Sequence, residues 1–172
     1  MYKRQGFDHK HDFEVALPGL LEVLEANPNI KFDIFGKIPK PPAMDALEDR
    51  VTVYSVVNNY QEFMKVLVSL DWDIGICPLA DTEFNKVKNV NKWVEYTSAG
   101  IVTVASNGLI YDDCCRGNCG VLVDRAGWSE ALSGLIKNPT KIKTIVEAAQ
   151  GKVSEKFSPS QQEAEILELI NV

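Results

Sequence analysis

The sequence predicts an α/β domain in which a doubly wound parallel sheet carries helices on both faces. Strand-like runs alternate with helical stretches at the spacing of βαβ units. The run at 101–105 (IVTVA) is almost entirely β-branched, as expected for a strand that is buried on both faces. A chain of 172 residues is long enough for one such domain with a sizeable core, and too short for two ordinary ones.

Apolar periodicity and turn residues predict the individual elements. An apolar stripe over 13–24 predicts the first helix. Pro18 lies within this stripe and indicates either a kink or the true start of the helix. A proline-rich loop is expected at 37–42. The helix predicted at 87–99 is expected to end at Gly100. Strands are predicted at 30–35, 50–54, 73–79, 101–105 and 120–124, and further helices at 60–70, 87–99, 127–137, 139–156 and 159–170.

Composition and charge exclude two classes of protein. No apolar run approaches the roughly 20 residues that span a bilayer, and no signal-peptide core is present at the start. The formal net charge of −6 argues against a dedicated nucleic-acid-binding domain, which usually carries a basic face. We therefore expect a domain without a transmembrane segment that does not bind nucleic acid.

The cysteines indicate a reducing compartment rather than a metal site. Cys77 lies in an apolar run and is expected in the core. Cys114, Cys115 and Cys119 could be soft metal ligands, but no histidine or fourth cysteine follows at zinc-site spacing. Adjacent cysteines also rarely share one tetrahedral ion. We expect free thiols in the cytoplasm and no bound metal.

The first residues do not fit the predicted architecture. A doubly wound domain normally opens with an apolar strand, and none precedes the first helix here. Residues 1–5 (MYKRQ) are short, basic and without pattern, so we interpret them as a non-native or truncated lead. Residues 6–172 are then a single Rossmann-like domain of a longer protein.

The helix at 87–99 carries the most informative polar residues. In such sheets ligands bind beyond the carboxyl ends of the strands. On one helix Lys88, Lys92 and Glu95 share a face, which begins at a helix N-terminus that favours anions. A diphosphate needs cations and N–H donors, and a ribose needs a carboxylate that accepts from two hydroxyl groups. On geometry alone, a solvated face with intrahelical ion pairs is the more ordinary interpretation.

The wider segment at 72–106 adds a family resemblance. It contains the strand at 72–79 (WDIGICPL), Asp81-Thr82-x-Phe84-Asn85, Lys88-x3-Lys92-x2-Glu95-Tyr96, Gly100 and Val104-Ala105-Ser106, with Tyr111 further on. This pattern resembles the C-terminal, donor-binding domain of glycosyltransferases with the GT-B fold. More narrowly, it is similar to the retaining, sugar-nucleotide-dependent glycogen synthase and mannosyltransferase-like group (glycosyl transferases group 1). The resemblance covers essentially all of 6–172.

The resemblance implies roles for the polar residues. Glu95 occupies the place of the glutamate that binds the ribose of the donor nucleotide, and Lys88 and Lys92 are placed near the diphosphate or donor sugar. Phe84 and Asn85 are implied to face the donor sugar, and Tyr54 and Ser55 to frame the nucleobase. Ser106 and Tyr111 are implied to lie at the phosphate end of the cleft. No metal and no separate cofactor are implied, because lysines and helix N–H groups can neutralise the leaving diphosphate.

Two departures from the family pattern are visible. Many members have two glutamates eight residues apart in this segment, but Val87 stands eight positions before Glu95. The usual arginine and lysine clamp at the opening of the domain is also missing. The basic residues there are His9, Lys10 and His11, and we take His9 and His11 as candidate phosphate contacts.

As a whole, the resemblance implies transfer of a sugar from a nucleotide-diphosphate sugar to a glycan or lipid-linked acceptor, in polysaccharide biosynthesis. The acceptor-binding N-terminal domain would be missing, so we expect this chain alone to be inactive. The full-length protein would be cytoplasmic, with peripheral contact to the inner membrane face left open. Two alternatives remain: a degenerate, non-catalytic transferase-like module, and a receiver-like regulatory domain. The receiver is disfavoured because the strand predicted at 73–79 ends Cys77-Pro78-Leu79, without a phospho-accepting aspartate at its end, and no acidic pair is visible.

Overall fold

The computed structural model describes residues 9–158 together with residues 160, 161, 163 and 167, and for residues 9 and 10 the backbone alone. The predicted lead at 1–5 and most of the helix predicted at 159–170 lie outside the described residues. Within the described residues, no helix has both the length and the apolar character needed to cross a membrane.

Strands and helices alternate along the described chain. The strands are β1 (Phe32–Phe35), β2 (Val51–Tyr54), β3 (Ile74–Cys77), β4 (Val102–Ser106) and β5 (Val121–Val123). The helices are α1 (His9–Ala26), α2 (Tyr60–Ser69), α3 (Glu83–Lys86), α4 (Asn91–Ser98), α5 (Asp112–Cys115), α6 (Trp128–Ile136) and α7 (Pro139–Lys156), with a 3₁₀ helix at Pro42–Arg50. Apart from the helices predicted at 87–99 and at 159–170, the second of which lies mostly outside the described residues, the predicted elements are confirmed to within a few residues at each end. The 3₁₀ helix, α3 and α5 are additions that the sequence pattern does not indicate.

All strand pairs are parallel, which confirms the predicted α/β class. Among the described residues, however, the strands do not form one continuous sheet. β1 pairs with β2, and β3, β4 and β5 form a separate sheet in that order. Every residue of β4 is buried, because helices cover both faces of the three-stranded sheet.

The helix predicted at 87–99 is shorter than expected, which corrects the helical-face argument. Lys88 lies in the connection between α3 and α4, outside both helices. Val87, the first residue of the predicted helix, also lies outside both helices and is 80% exposed. The predicted stop is confirmed, since α4 ends at Ser98 and Gly100 adopts a left-handed φ of 79°.

Tight packing of α1 on α6 supports one side of the core. A Cβ atom on Gly19 of α1 would lie 2.7 Å from the backbone nitrogen of Ser129 and 2.8 Å from Cβ of Trp128. The two helices can therefore approach this closely only because residue 19 has no side chain. α1 begins at His9, so it does not start at Pro18 but continues through it.

The tryptophans lie in the core or at its edge. Trp93 and Trp128 are fully buried, and the indole N–H of Trp93 donates to the carbonyl of Cys119 at 2.8 Å. Trp72 is half-buried just before β3, and its indole N–H donates to Asp33 Oδ2 at 2.7 Å. Trp72 thereby connects the three-stranded sheet to β1.

Candidate functional site

A cavity of about 670 Å³ extends along β1 and β3, from the residues that precede these strands to their carboxyl ends. Its middle is mostly apolar, and polar residues line both of its ends. At the carboxyl end the lining includes Asp12 from the first turn of α1, Pro78 after β3, and Lys92 and Glu95 from α4. This is the edge of a parallel sheet at which ligands are expected.

Asp12 is the centre of a buried hydrogen-bond network. Its Oδ1 atom accepts from the backbone N–H of Ala80 at 3.0 Å and from the side-chain amide of Asn85 at 2.6 Å. Its Oδ2 atom accepts from Nζ of Lys88 at 2.9 Å. The network fixes the start of α1 against the loop that follows β3.

This network places two predicted site residues. Asn85 is 3% exposed, and its amide also donates to the carbonyl of Ala80 at 2.7 Å. The Lys88 side chain is 17% exposed, pairs with Asp12, and lies 5.1 Å from the ring centroid of Phe84. Phe84 itself is 53% exposed beside this cation. In this structure Asn85 and Lys88 therefore bond within the protein, whereas Phe84 is open to solvent.

Lys92 and Glu95 remain close together on α4, one turn apart and half-buried. Burial raises the pKa of the Glu95 carboxyl, and the Lys92 ammonium partly opposes this rise. A half-buried carboxylate of this kind is stabilised in its charged form by hydroxyl donors or cations. The sequence predicts that Lys88, Lys92 and Glu95 share one helical face, and of these Lys92 and Glu95 line the cavity.

Ser106 and Tyr111 bond to protein groups beneath the site. Ser106 is 5% exposed, and its hydroxyl accepts from the backbone N–H of Leu79 at 2.8 Å. This bond ties the end of β4 to the loop after β3. Tyr111 is 3% exposed and lies against Cys77, which together with burial raises the pKa of the phenol. Neither hydroxyl is presented to the cavity described above.

The remaining predicted residues lie around the rim or beyond it. Tyr54 is half-buried at the end of β2 and packs edge-on against Phe35 at 6.3 Å between ring centroids; Ser55 after it is exposed. The His11 side chain is 81% exposed, and its Nδ1 lies 3.0 Å from Glu14 on the same helix. The side chain of His9 is outside the described residues.

Two residues of the site are not indicated by the sequence. Asp12 looks like an ordinary acidic residue in the first turn of a helix, and its partners lie 68 to 76 positions away. Tyr60 is 61% exposed at the start of α2, and desolvation together with the Glu95 carboxylate raises the pKa of its phenol. Tyr60 therefore adds an exposed aromatic ring within electrostatic reach of Glu95.

All four cysteines are buried free thiols. Burial raises the pKa of the Cys77 thiol to about 11. Cys114 donates to the carbonyl of Tyr111 at 3.2 Å, and Cys119 to the carbonyl of Gly117 at 3.5 Å. These thiols belong to the small core cluster around Trp93.

No protein-family model and no curated protein matches the sequence. Solved structures do match in fold. The C-terminal domain of a glycosyl transferase group 1 family protein (LpcC) from Francisella tularensis superposes with a TM-score of 0.65 at 14% identity, over 91% of this chain and 83% of that one.

Two larger structures match over almost the whole of this chain. HepE from Anabaena, solved in complex with UDP-glucose, has a TM-score of 0.71 at 14% identity over 99% of this chain and 47% of its own. TarM has a TM-score of 0.71 at 16% identity over 99% of this chain and 34% of its own. The chain thus spans less than half the length of HepE and TarM. It has the Rossmann-like fold of the C-terminal domain of group 1, GT-B glycosyltransferases.

Proposed function

We propose that this chain is the donor-binding domain of a glycosyltransferase that uses a nucleotide-diphosphate sugar. The observation that carries the proposal is the Lys92–Glu95 pair, which is half-buried and lines the cavity where it reaches the carboxyl ends of the strands. The pair offers a cation and a hydroxyl acceptor one helical turn apart. A nucleoside diphosphate presents the matching groups, two phosphates and a ribose diol.

Glu95 is assigned to the ribose. Burial raises the pKa of its carboxyl, so the charged form lacks part of the solvation that water would give it. Two vicinal hydroxyl groups can donate to both carboxylate oxygens and restore that solvation. The same burial that disfavours the free carboxylate would therefore make it a strong acceptor for a diol.

The diphosphate is assigned to Lys92 and to the helix N-termini at this edge. α1 and α4 both begin near the carboxyl ends of the strands. The N–H groups of Asn91 and Trp93 in the first turn of α4 already donate to the side chain of Asn89 and the carbonyl of Val90, so the contribution assigned to this helix is that of its dipole. Lys88 would contribute only by exchanging or sharing its ion pair with Asp12. Charge on the leaving diphosphate could then be stabilised electrostatically, without a metal.

The fold neighbours support the same class of ligand. HepE, which has this fold in its matching part, is solved in complex with UDP-glucose. Because the present chain spans under half of HepE, the acceptor site and any transfer step are assigned to a further, acceptor-binding domain. The acceptor is proposed to be a glycan or a lipid-linked glycan, and the domain alone is expected to bind donor without transferring sugar. A cytoplasmic location is proposed with it.

Isothermal titration calorimetry with UDP, GDP and their sugars tests the proposal. We expect one nucleotide diphosphate to bind with a Kd on the order of 1 mM or tighter, or about −4 kcal/mol. Glu95→Ala should weaken binding at least about tenfold, which is roughly 1.4 kcal/mol. The control is Glu130→Ala, an exposed helical glutamate away from the cavity. Equal affinity in Glu95→Ala and wild type would remove the ribose assignment.

One observation favours a second candidate, a non-catalytic transferase-like module. Lys88 and Asn85, both implied donor contacts, are already bonded to Asp12 inside the protein. If the folded chain binds none of the nucleotides at millimolar concentration, this network is structural and the module is favoured. Nucleotide binding that depends on Glu95 and Lys92 selects the donor-binding domain instead.

A further inference from the structure

We infer that the free edge of β2 pairs with the same edge of a second copy of this chain. β2 pairs with β1 on one side, and within the described part of the chain no strand pairs with its other side. An exposed strand edge offers unpaired N–H and C=O groups to a strand of another molecule. Pairing of two copies here joins their β1–β2 sheets into one sheet. The inference concerns association of the chain and does not depend on the proposed function.

The ladder between β1 and β2 shows which backbone groups of β2 face the free edge. The backbone N–H of Gly36 donates to the carbonyl of Tyr54 at 3.3 Å, so Tyr54 directs its backbone groups toward β1. In a strand, the N–H and C=O groups of one residue point to the same side, and those of the next residue point to the opposite side. Val53 therefore directs both of its backbone groups away from β1.

A twofold axis beside Val53 gives two edges that match each other. When a twofold axis relates identical surfaces, the two β2 strands run antiparallel. The N–H of each Val53 then donates to the carbonyl of the other. The N–H of Val51 already donates to the carbonyl of Glu48, so Val51 contributes its carbonyl, which accepts from the N–H of Ser55 in the second copy. This register gives about four hydrogen bonds between the copies.

Exposed valine side chains on the same surface favour this pairing. Val53 is 49% exposed and Val56 is 41% exposed, although valine is among the residues most often buried. Val53 lies on the sheet face that packs against α1, because its register partner Ile34 belongs to the core cluster on that face. In the antiparallel register the two Val53 side chains lie directly opposite each other on this face, where β-branched pairs stabilise a sheet.

The charge pattern identifies a second copy as the occupant. Residues 51–61 (VTVYSVVNNYQ) contain no charged side chain and no proline, although charged residues make up 24% of the chain. Strand edges that are protected from pairing usually carry lysine or proline. Arg50, directly before this run, donates instead to the carbonyls of Leu24 and Asn27. Because each chain has a formal net charge of −6, two copies repel each other on average, and a neutral edge is a surface at which they can approach.

Sedimentation equilibrium of the 172-residue chain tests the inference. We expect a monomer–dimer equilibrium with a Kd on the order of 100 μM, as suits a small interface. Val53→Lys and Val53→Glu should each raise this Kd at least about tenfold, because like charges directly opposite each other destabilise paired strands. Val87→Lys is the matched control, since Val87 is 80% exposed and lies outside β2, and it should leave the Kd unchanged.

A mixture of Val53→Lys and Val53→Glu tests the twofold register itself. The introduced lysine of one copy faces the introduced glutamate of the other, so the mixture should dimerise more strongly than either variant alone. Circular dichroism checks that each variant keeps the helical content of the wild type. If either variant fails to fold, Ser55→Pro replaces it, because Ser55 follows the strand and proline removes only its N–H donor at the edge. Ser55→Pro should also weaken the dimer.

Other outcomes overturn the inference. A chain that stays monomeric up to about 1 mM has no such interface. A dimer that forms as strongly in the Val53 variants or in Ser55→Pro as in the wild type uses another surface. A mixture that dimerises no better than the single variants excludes the twofold pairing at Val53. No nucleotide is present in these measurements, so they are independent of donor binding.

Discussion

Oδ2 of Asp12 accepts a hydrogen bond from Nζ of Lys88 at 2.9 Å, and this bond joins the first turn of α1 to the connection between α3 and α4. The side chains are 5% and 17% exposed, so the pair is largely shielded from water. The pair lies at the edge of the candidate donor site. It therefore holds the site together before any ligand arrives.

Asp12→Ala should destabilise the fold by about 3 kcal/mol, because it leaves the Lys88 ammonium and the Asn85 amide without their buried acceptor. Urea unfolding measures the change in free energy. Lys88→Met is the matched variant, and it should cost less because Asp12 keeps its bonds from Ala80 and Asn85. If both single variants unfold at the wild-type urea concentration, the network does not stabilise the domain.

Gly19→Ala should destabilise the protein by about 2 kcal/mol or more, because the new methyl group would overlap the backbone of α6 at Ser129. Gly134→Ala in α6 is the control, since a Cβ atom there meets nothing within 4 Å. The control should be neutral or stabilising by up to about 1 kcal/mol, because alanine favours helix. Thermal unfolding compares the two variants, and equal melting temperatures would contradict the close approach of α1 and α6.

Glu95→Gln should become increasingly more stable than wild type as the pH rises. Burial raises the pKa of Glu95 in the fold, so the folded state binds more protons than the unfolded state just above the ordinary glutamate pKa. Wild-type stability therefore falls as pH rises through that window, and the loss is complete above the raised pKa. Glutamine does not ionise and escapes this loss.

Denaturant unfolding of both proteins between about pH 4 and about pH 8 measures the difference. Glu130→Gln controls for removal of a carboxyl group at an exposed helical position. A difference between Glu95→Gln and wild type that stays constant, or that shrinks with rising pH, would mean that the Glu95 carboxyl is not desolvated in the fold.

The parallel α/β class and most elements follow from local sequence, because alternating apolar runs and turn residues act over a few positions. The helix predicted at 87–99 forms only over Asn91–Ser98, because polar side chains near its start make bonds that apolar periodicity does not reveal. Val87 and Val90 have helical spacing, but Asn85 is bonded to Asp12 and the side chain of Asn89 accepts from the N–H of Asn91 at 3.3 Å. Such polar side chains compete with helix hydrogen bonds and end or start helices.

The candidate site was only partly predictable because its contacts are long-range. Glu95 and Lys92 lie close together as predicted, because they are one turn apart on the same helix. The partner of Lys88 is a residue 76 positions away, and no pattern in the sequence points to it. The hydroxyl of Ser106 is likewise bonded to Leu79, 27 positions away. Donor contacts by these residues stay predictions.

NMR mapping of the nucleotide footprint shows whether this domain binds a nucleotide-sugar donor, and where. Titration of the folded chain with UDP-glucose and with a GDP-sugar should shift backbone amides at 79–88 and 91–96, in the first turn of α1 and around Tyr60. These segments surround the Lys92–Glu95 pair at the carboxyl edge of the strands. Shifts confined to these segments, and lost in Glu95→Ala, are the predicted result. A folded chain that shows no shifts at millimolar nucleotide, or shifts only on α6 and α7, would contradict the assignment of this domain as the donor-binding half of a glycosyltransferase.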